Sequence, residues 1–440
     1  MKKSTKVAAF AAAALLISAP AAFAFHSGGV AECEGCHSMH NSFEGAANVT
    51  GRALAAGSGP WLLKANDQSG SCLNCHAAAD TGPSSYHIAT IGVEDGDTTK
   101  YPVEMTPGGD FAWLRQNPTF VVRGSTLTNH GERRGHNVIA SDFGYVADST
   151  LTVAPGGTYP ASQLHCSSCH DPHGKYRRFA DGSIATTGLP IFNAGSYNNS
   201  KDPIAGTSAV GAYRILAGIG YQPKSLTGSY AFANTVPAAV VASTYNRTEA
   251  TDQTGVAYGQ GMSEWCANCH TAFLQNGYTS GMAGLRHPAG NSAPLGAAIA
   301  ANYNAYVKSG IMTNVTDNKA FSTLAPFELN SADYTVLKPQ AVTGTGGASA
   351  HAKADATNNA MCLSCHRAHA SGFESMLRYF YMNEFMTLAD ASNNAIYAPA
   401  NSAQGQGFPE AAQQNAYYGR TAATFGPNAR SYCNKCHAKD

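Results

Sequence analysis

Charged side chains are scarce in this chain of 440 residues, where they make up 13% of the total and the formal net charge is zero. A typical soluble domain carries roughly 25% charged residues. Without an excess of either sign, the composition gives no reason to expect nucleic acid or an anionic membrane as a partner. Few charges also mean little repulsion between copies of the chain, so the composition tolerates self-association.

A second long apolar run is also missing, because the single such run lies at the N-terminus. Three lysines precede it, and Ala22-Phe23-Ala24 at its end has the A-x-A form of a cleavage site. Residues 1–24 are therefore predicted to be a secretory signal peptide; a membrane-spanning helix is the weaker alternative because the run is short. We expect an exported mature protein that starts at Phe25 and has no transmembrane segment.

All twelve cysteines belong to six C-x-x-C pairs, and a histidine directly follows each pair. The motifs read CEGCH at 33–37, CLNCH at 72–76, CSSCH at 166–170, CANCH at 266–270, CLSCH at 362–366 and CNKCH at 433–437. C-x-x-C-H is the attachment signature of haem c, so the sequence predicts six covalently bound haems. The attachment cysteines are Cys33, Cys36, Cys72, Cys75, Cys166, Cys169, Cys266, Cys269, Cys362, Cys365, Cys433 and Cys436, and the iron-binding histidines are His37, His76, His170, His270, His366 and His437.

The chemistry of haem attachment requires this spacing. Two thiols add across the two vinyl groups at one edge of the porphyrin, and the adjacent histidine then binds the iron. Paired C-x-x-C units can also bind zinc, but a zinc site leaves the six adjacent histidines unexplained. Disulfide bonds, which are common in exported proteins, are excluded by the same regular pattern.

Each haem iron has a second axial position, and the chain has histidines in surplus to fill it. Ten of the sixteen histidines lie outside the motifs, whereas no methionine recurs at a fixed offset from a motif. We therefore predict bis-histidine ligation. The candidate second ligands are His26, His40, His87, His136, His165, His173, His287 and His369, while His130 and His351 lie in small polar segments and are expected to be exposed to solvent.

Three of these candidates follow a motif histidine by three residues: His40, His173 and His369. Three residues span at most about 10 Å when extended. Such a histidine cannot readily pass around its own haem, which the motif histidine already holds from the other side. We therefore expect each of the three to bind a neighbouring haem, which implies closely packed haems.

Signals for regular secondary structure are sparse, and Gly, Ser, Asn, Thr and Ala fill much of the chain. Helices are predicted over 295–308 and 372–390, and 101–124 could supply two short strands. A short helical turn should carry each haem motif. The expected fold is a coil-rich multihaem c-type cytochrome with few short helices and minimal strand. It forms a single domain, 25–440, whose chain wraps around a stack of six haems.

Several stretches that extend beyond the haem motifs resemble a known family. They include FHSGGVAECEGCH at 25–37, QLHCSSCHDPHGKYRRF at 163–179, AYGQGMSEWCANCH at 257–270 and CLSCHRAHASGF at 362–373. In these the chain resembles the hexahaem outer-membrane c-type cytochromes of metal-reducing bacteria, which polymerise into extracellular electron-conducting filaments. The resemblance implies head-to-tail assembly in which His40 binds the fifth haem of the adjacent subunit, the haem whose motif histidine is His366.

The expected function is an extracellular electron conduit rather than an enzyme, with external acceptors such as metal oxides and other multihaem cytochromes as partners. Haem motifs stand near both ends of the chain, and a head-to-tail contact that does not close produces an open filament. One alternative is a monomeric periplasmic multihaem carrier. Another is a multihaem reductase of nitrite or another oxyanion, but this needs an iron with an open position, and the sequence has no C-x-x-C-K variant.

Overall fold

The computed structural model of the chain describes residues 33–37, 42–43, 46–47, 62–78, 87–94, 97, 99–172, 177–178, 184–185, 191–192, 209–210, 216–226, 230–241, 248–252, 255–274, 287–305, 320–341 and 353–437. The predicted signal peptide and four histidines lie outside these residues: His26, His40, His173 and His351.

Loops and short turns dominate the described parts, as predicted, and the helix Gly296–Ala305 is ten residues long. The α-helices are Cys33–Cys36, Gln68–His76, Met262–Cys266, Thr271–Leu274, Gly296–Ala305, Tyr334–Leu337, Cys362–Cys365, Glu410–Ala416 and Ala422–Phe425. The 3-10 helices are Phe111–Arg115, Gly131–Arg134, Ser141–Phe143, Ala161–Gln163, Cys166–Ser168, Lys224–Leu226, Lys338–Gln340, Glu374–Met376 and Tyr432–Lys435. None of the described helices is long and apolar enough to cross a membrane.

In the described parts of the chain, the strands form small, separate sheets. Five are two-stranded: Ser42–Phe43 with Ala46–Ala47, Ala77–Ala78 with Ala89–Thr90, Thr119–Val122 with Ser125–Thr128, Ala238–Val240 with Ala257–Gln260, and Leu388–Ala389 with Ala395–Ile396. One is four-stranded, in the order Ile184–Ala185, Arg177–Arg178, Ala209–Val210, Ile191–Phe192.

A tight hairpin accounts for part of the strand prediction over 101–124. Val122 pairs with Ser125, so the loop has the two residues Arg123 and Gly124. Their φ angles are 52° and 82°, which is the left-handed geometry of a two-residue hairpin turn, and Gly124 adopts it without a steric penalty. Of the two strands expected in that stretch, one lies there, and its partner follows directly.

One helix prediction is confirmed and the other is wrong. Residues 295–308 contain the helix Gly296–Ala305, but 372–390 holds one 3-10 turn, Glu374–Met376, and a two-residue strand. Backbone hydrogen bonds explain the difference, because Arg367 N donates to Met376 O over 2.7 Å and Arg378 N donates to Cys365 O over 2.8 Å. These bonds tie the segment alongside the fifth haem motif and prevent it from coiling.

The largest buried cluster is aromatic and lies in the C-terminal third of the chain. Phe373, Tyr417 and Phe425 pack within it, with ring centroids 4.9 Å apart for Phe373 and Tyr417 and 5.2 Å apart for Tyr417 and Phe425. Trp113 joins it from the first third of the chain through an edge contact with Phe408. The cluster therefore connects distant parts of the sequence around the fifth and sixth motifs.

Candidate haem sites

Each of the six haem motifs lies on a short helical turn, as predicted. The turns are Cys33–Cys36, Gln68–His76, Cys166–Ser168, Met262–Cys266, Cys362–Cys365 and Tyr432–Lys435. The second begins at Asp67, whose carboxylate accepts from the backbone N–H of Gly70 over 2.7 Å and thereby caps the helix. Residues three apart in a helical turn share one face, which suits the attachment of two cysteines to one edge of a porphyrin.

Three motif histidines face three of the predicted second ligands. The ring centroids of His170 and His369 lie 6.3 Å apart, those of His136 and His270 lie 6.0 Å apart, and those of His287 and His437 lie 5.8 Å apart. An imidazole nitrogen binds a metal ion at about 2.0–2.1 Å. Two imidazoles on opposite sides of one metal therefore have ligating nitrogens ~4 Å apart, and, because each ring centre lies about 1 Å behind its nitrogen, ring centroids ~6 Å apart. The three centroid distances agree with this value.

Backbone carbonyls orient several of these imidazoles. The Nδ1 atom lies 2.7 Å from Ala368 O in His136, 2.8 Å from Pro155 O in His270 and 2.7 Å from Ser375 O in His366. Because a carbonyl can only accept, each Nδ1 carries the proton and each Nε2 presents its lone pair. Histidines that bind a metal are typically held in this way by a partner on the other nitrogen.

The electrostatics of the sites favour neutral imidazole, the form that binds a metal. Burial, with a smaller effect from His270, lowers the pKa of His136 to about 4. Burial also lowers the pKa of His270 and His366 below the ordinary value. A ligand that is already unprotonated at neutral pH does not have to lose a proton before it binds iron.

Two further observations test whether the surroundings suit haem. A Cβ atom on Gly108 would stand 2.6 Å from Nδ1 of His369, so only glycine leaves room for that ring at its position. Buried guanidinium donors of Arg367 (Nε and Nη2) and Arg378 (Nη2) have no acceptor within the described residues. Such donors match the carboxylate groups of haem c. The residues present therefore fit the group that the motifs predict.

Comparison with known proteins agrees with this geometry. The chain is 63% identical over its full length to C-type cytochrome OmcS of Geobacter sulfurreducens, and the alignment covers all of both chains. The chain belongs to the OmcS family of c-type cytochromes. No protein-family model matches it. Covalently bound haem c is therefore its cofactor, and the resemblance read from the motifs and their flanking stretches is confirmed.

Two solved structures match the fold. One is the Outer Membrane Cytochrome S filament from Geobacter sulfurreducens, with a TM-score of 0.83 and 62% identity, covering 94% of this chain and all of that chain. The other is the cryo-EM structure of the OmcS nanowires of the same organism, with a TM-score of 0.82 and 60% identity over the same shares. The coil-rich multihaem architecture is therefore that of the OmcS family.

Within this OmcS-type fold, two pairs of motifs are joined in the same way. Ser69 Oγ accepts from the backbone N–H of Cys166 over 3.0 Å, and Ser263 Oγ accepts from that of Cys362, also over 3.0 Å. The attachment edges of the second and third haem sites thus meet, as do those of the fourth and fifth.

The sequence analysis missed these two serines, although a signal was present. Each stands three residues before the first cysteine of its motif, in SGSC at 69–72 and SEWC at 263–266. Motif spacing could not identify Glu249 or Arg378, because both lie outside the motifs. They contact residues of the fifth motif, or its neighbour Arg367, only in the folded chain.

The remaining candidate histidines are placed as follows. His165 directs Nδ1 to Ile139 O over 3.2 Å and lies 3.5 Å from Ser69 Oγ, beside the helix of the second motif. His87 is half-buried and directly precedes Ile88, whose N–H donates to His76 O over 2.9 Å. His130 is exposed, as predicted.

Proposed function

We propose that the chain, once residues 1–24 are removed, forms one hexahaem domain over 25–440 that polymerises head-to-tail into an extracellular electron-conducting filament. Haem c supplies one-electron exchange between Fe(II) and Fe(III). The polypeptide attaches, orients and stacks the haems and transforms no substrate. Electrons arrive from other multihaem cytochromes and leave to external acceptors such as metal oxides. The OmcS filament structures, at 60% and 62% identity, support the self-assembly.

One observation carries this proposal. His369 follows the fifth motif by three residues, yet its ring lies against His170 of the third motif. The histidine of a C-x-x-C-H-x-x-H sequence therefore reaches the haem two motifs earlier in the chain. The same offset assigns His173, which follows the third motif, to the haem held by His37.

Applied to the first motif, the same offset points to a haem of another subunit. His40 follows His37 by three residues, and no haem of the same chain precedes the first by two. In a head-to-tail row of hexahaem subunits, the haem two places before the first is the fifth haem of the preceding subunit. That haem is bound by His366. His40 therefore ligates a haem of the neighbouring subunit.

The even-numbered haems follow a parallel rule. His136, from the segment between the second and third motifs, faces His270 of the fourth. His287, from the segment between the fourth and fifth motifs, faces His437 of the sixth. The corresponding segment before the first motif contains His26, which we assign to the second haem and His76. These assignments fill both axial positions of all six irons and give none to His87 or His165.

Replacing His40 with alanine tests the assembly. We expect His40→Ala to retain its haems, to give no filaments in negative-stain micrographs, and to show a new high-spin signal in electron paramagnetic resonance from the fifth haem. His130→Ala, an exposed histidine with no assigned iron, is the matched control and should form filaments. Filaments of normal length from His40→Ala would contradict the proposal, and an altered internal haem without a change of assembly state would favour the monomeric carrier.

The haem count has its own measurement. Intact mass spectrometry of the mature chain should give the polypeptide mass plus six haems, since each motif has both cysteines and the histidine. A lighter protein would show that at least one motif carries no haem. A high-spin haem in the wild-type filament would instead indicate an open iron and favour the reductase.

A further inference from the structure

A buried ion cluster lies against the fifth haem motif. The carboxylate of Glu249 pairs with Arg367, which directly follows His366, and Glu249 Oε2 lies 2.9 Å from Nη1 of Arg378. The side chains are 1%, 1% and 0% exposed for Glu249, Arg367 and Arg378, so water cannot screen their charges. Arg367 also stacks on Tyr418, with its guanidinium carbon 3.6 Å from the ring centroid.

The cluster is built directly onto the residues that hold the fifth haem. Arg378 Nε donates to the carbonyl of His366 over 3.0 Å, and the backbone N–H of Arg378 donates to Cys365 O over 2.8 Å. The hydroxyl of Tyr379 donates to Sγ of Cys365 over 3.3 Å. Any field from the cluster therefore acts on this haem at close range.

The charges of the cluster do not cancel. Arginine keeps its proton in proteins. Burial opposes ionisation of Glu249, but the attraction of Arg378 and Arg367 holds its pKa below the usual range. Two guanidinium groups thus face one carboxylate. The adjacent Arg420 forms its own pair with Asp252 at 3.2 Å and adds no excess. Within the described residues, one positive charge of the cluster therefore has no carboxylate of the protein to pair with, in a low-dielectric interior where Coulomb interactions are strongest. A haem carboxylate held by the unused guanidinium donors would itself be neutralised by this charge.

The third motif has the opposite charge at the corresponding position. Asp171 directly follows His170, as Arg367 directly follows His366, and both side chains are buried. The two sites share the C-x-x-C-H-x-x-H sequence and differ in the sign of this residue. The chain therefore distinguishes haem sites electrostatically although their ligand sets are alike.

We propose that Glu249, Arg367 and Arg378 raise the reduction potential of the fifth haem above that of the third, so that an electron moving along the row resides longer at the fifth haem. A buried positive charge stabilises the reduced iron, which carries one positive charge fewer than the oxidised iron, and net local charge is one of the factors that set haem potentials. The three residues act by positioning charge and do not bind the iron. This inference rests on the proposed assignment of His366 to the fifth haem.

Variants of opposite charge effect test the proposal by spectroelectrochemical titration of whole filaments. Glu249→Gln removes the carboxylate that pairs with Arg367 and Arg378 and should shift the reduction step of one haem upward. Arg367→Gln removes a positive charge and should shift the same step downward, whereas Arg367→Lys keeps the charge and should restore the wild-type position. Each low-spin ferric signal followed against potential by electron paramagnetic resonance identifies the haem that moves.

Glu94→Gln is the matched control, because it removes the same charge from an ion pair with Arg115 in which the glutamate side chain is 61% exposed. Its titration should superimpose on that of the wild type. Breaking a buried ion pair is costly and can prevent Glu249→Gln from accumulating. In that case the two Arg367 variants alone test the proposal. Equal shifts in the same direction from Glu249→Gln and Arg367→Gln, or no shift from Arg367→Gln, would overturn the inference. Either of these results, obtained with six haems and intact filaments, would leave the proposed function unaffected. A wild-type protein that forms no filaments would refute the proposed function and not the effect of charge on the fifth haem.

Discussion

The imidazole rings of His287 and His437 face each other with their Nε2 atoms 3.5 Å apart, although 150 residues separate them in the chain. His287 directs its Nδ1 to Pro288 O over 2.8 Å, which leaves Nε2 directed at the other ring. Both residues are exposed. The sixth haem site therefore lies at the molecular surface, next to the C-terminal end of the chain.

Replacing His287 should open the sixth haem. We expect His287→Ala to convert one low-spin haem to high spin, because the iron loses its second imidazole. His287→Met should remain low-spin and raise the potential of one haem, since methionine ligation favours the reduced iron. Electron paramagnetic resonance and redox titration measure the two effects. An unchanged low-spin spectrum in His287→Ala would show that another residue binds this iron.

Gly108 should be essential for the ligand of the third haem. In Gly108→Ala the new Cβ would stand 2.6 Å from Nδ1 of His369, which is too close for non-bonded atoms. We expect the ring to leave its position opposite His170, at a cost of roughly 1–3 kcal/mol in stability, and one haem to become high-spin.

Gly124→Ala is the control for that variant. A Cβ there meets no atom within 4 Å, but the φ of +82° strains any side chain. It should therefore lower the melting temperature slightly and leave every haem signal unchanged. If Gly108→Ala gave only the same loss of stability, the third haem would not depend on His369.

The serines that join the motif pairs should contribute to stability without affecting haem attachment. Ser69 and Ser263 are both 0% exposed. Removing either hydroxyl leaves a backbone N–H of the next motif without its acceptor, which costs about 1–3 kcal/mol. We expect Ser69→Ala and Ser263→Ala to melt at a lower temperature by similar amounts, while Ser149→Ala, at an exposed position, should match the wild type. A large difference in melting temperature between Ser69→Ala and Ser263→Ala would show that the two serine contacts between motifs are not equivalent.

Glu328 should make the stability of the protein fall as the pH rises. Burial, with a smaller effect of the nearby Glu264 carboxylate, raises the pKa of Glu328 from 4.5 to about 8. Between these values the unfolded chain has released its proton and the folded chain has not, so unfolding becomes easier with each step in pH. The contribution is complete below about pH 4.5 and is lost by about pH 8.

Denaturant titrations across this range measure the effect. Glu328→Gln retains an acceptor for the N–H of Met262, which Glu328 Oε1 accepts over 2.9 Å, and should remove the decline. Glu410→Gln, an exposed site, should keep it. A wild-type stability that stays level from pH 5 to pH 8, as in Glu328→Gln, would show that the carboxylate is ionised in the folded state.

Covalent chemistry explains why so much of the site could be predicted from the sequence. Haem attachment fixes the spacing of two cysteines and one histidine, so the motifs can be recognised in the sequence without knowledge of the fold. The surplus histidines could be found for the same reason, and His136, His287 and His369 are now seen opposite motif rings. Which ring each one meets could not be predicted, because these pairs come from distant segments and depend on the tertiary fold.

Other features were unpredictable for physical reasons. The apolar pattern over 372–390 suggested a helix, but backbone bonds to the fifth motif compete with helical bonds and win. Glu249 stands in a plain polar stretch, and nothing near it in the sequence indicates that two buried arginines will surround it. Local pattern does not report contacts made across more than a hundred residues.

The short segment 366–369 has a consequence for biogenesis. His366 belongs to the fifth motif, the carbonyl of Ala368 orients His136 beside His270 of the fourth, and His369 faces His170 of the third. A chain enters the export machinery from its N-terminus, so the earlier sites exist well before this segment emerges. Under the proposed haem assignments, the third haem stays without its second ligand until residue 369 has emerged, and a protein shortened before that point would lack this ligand altogether.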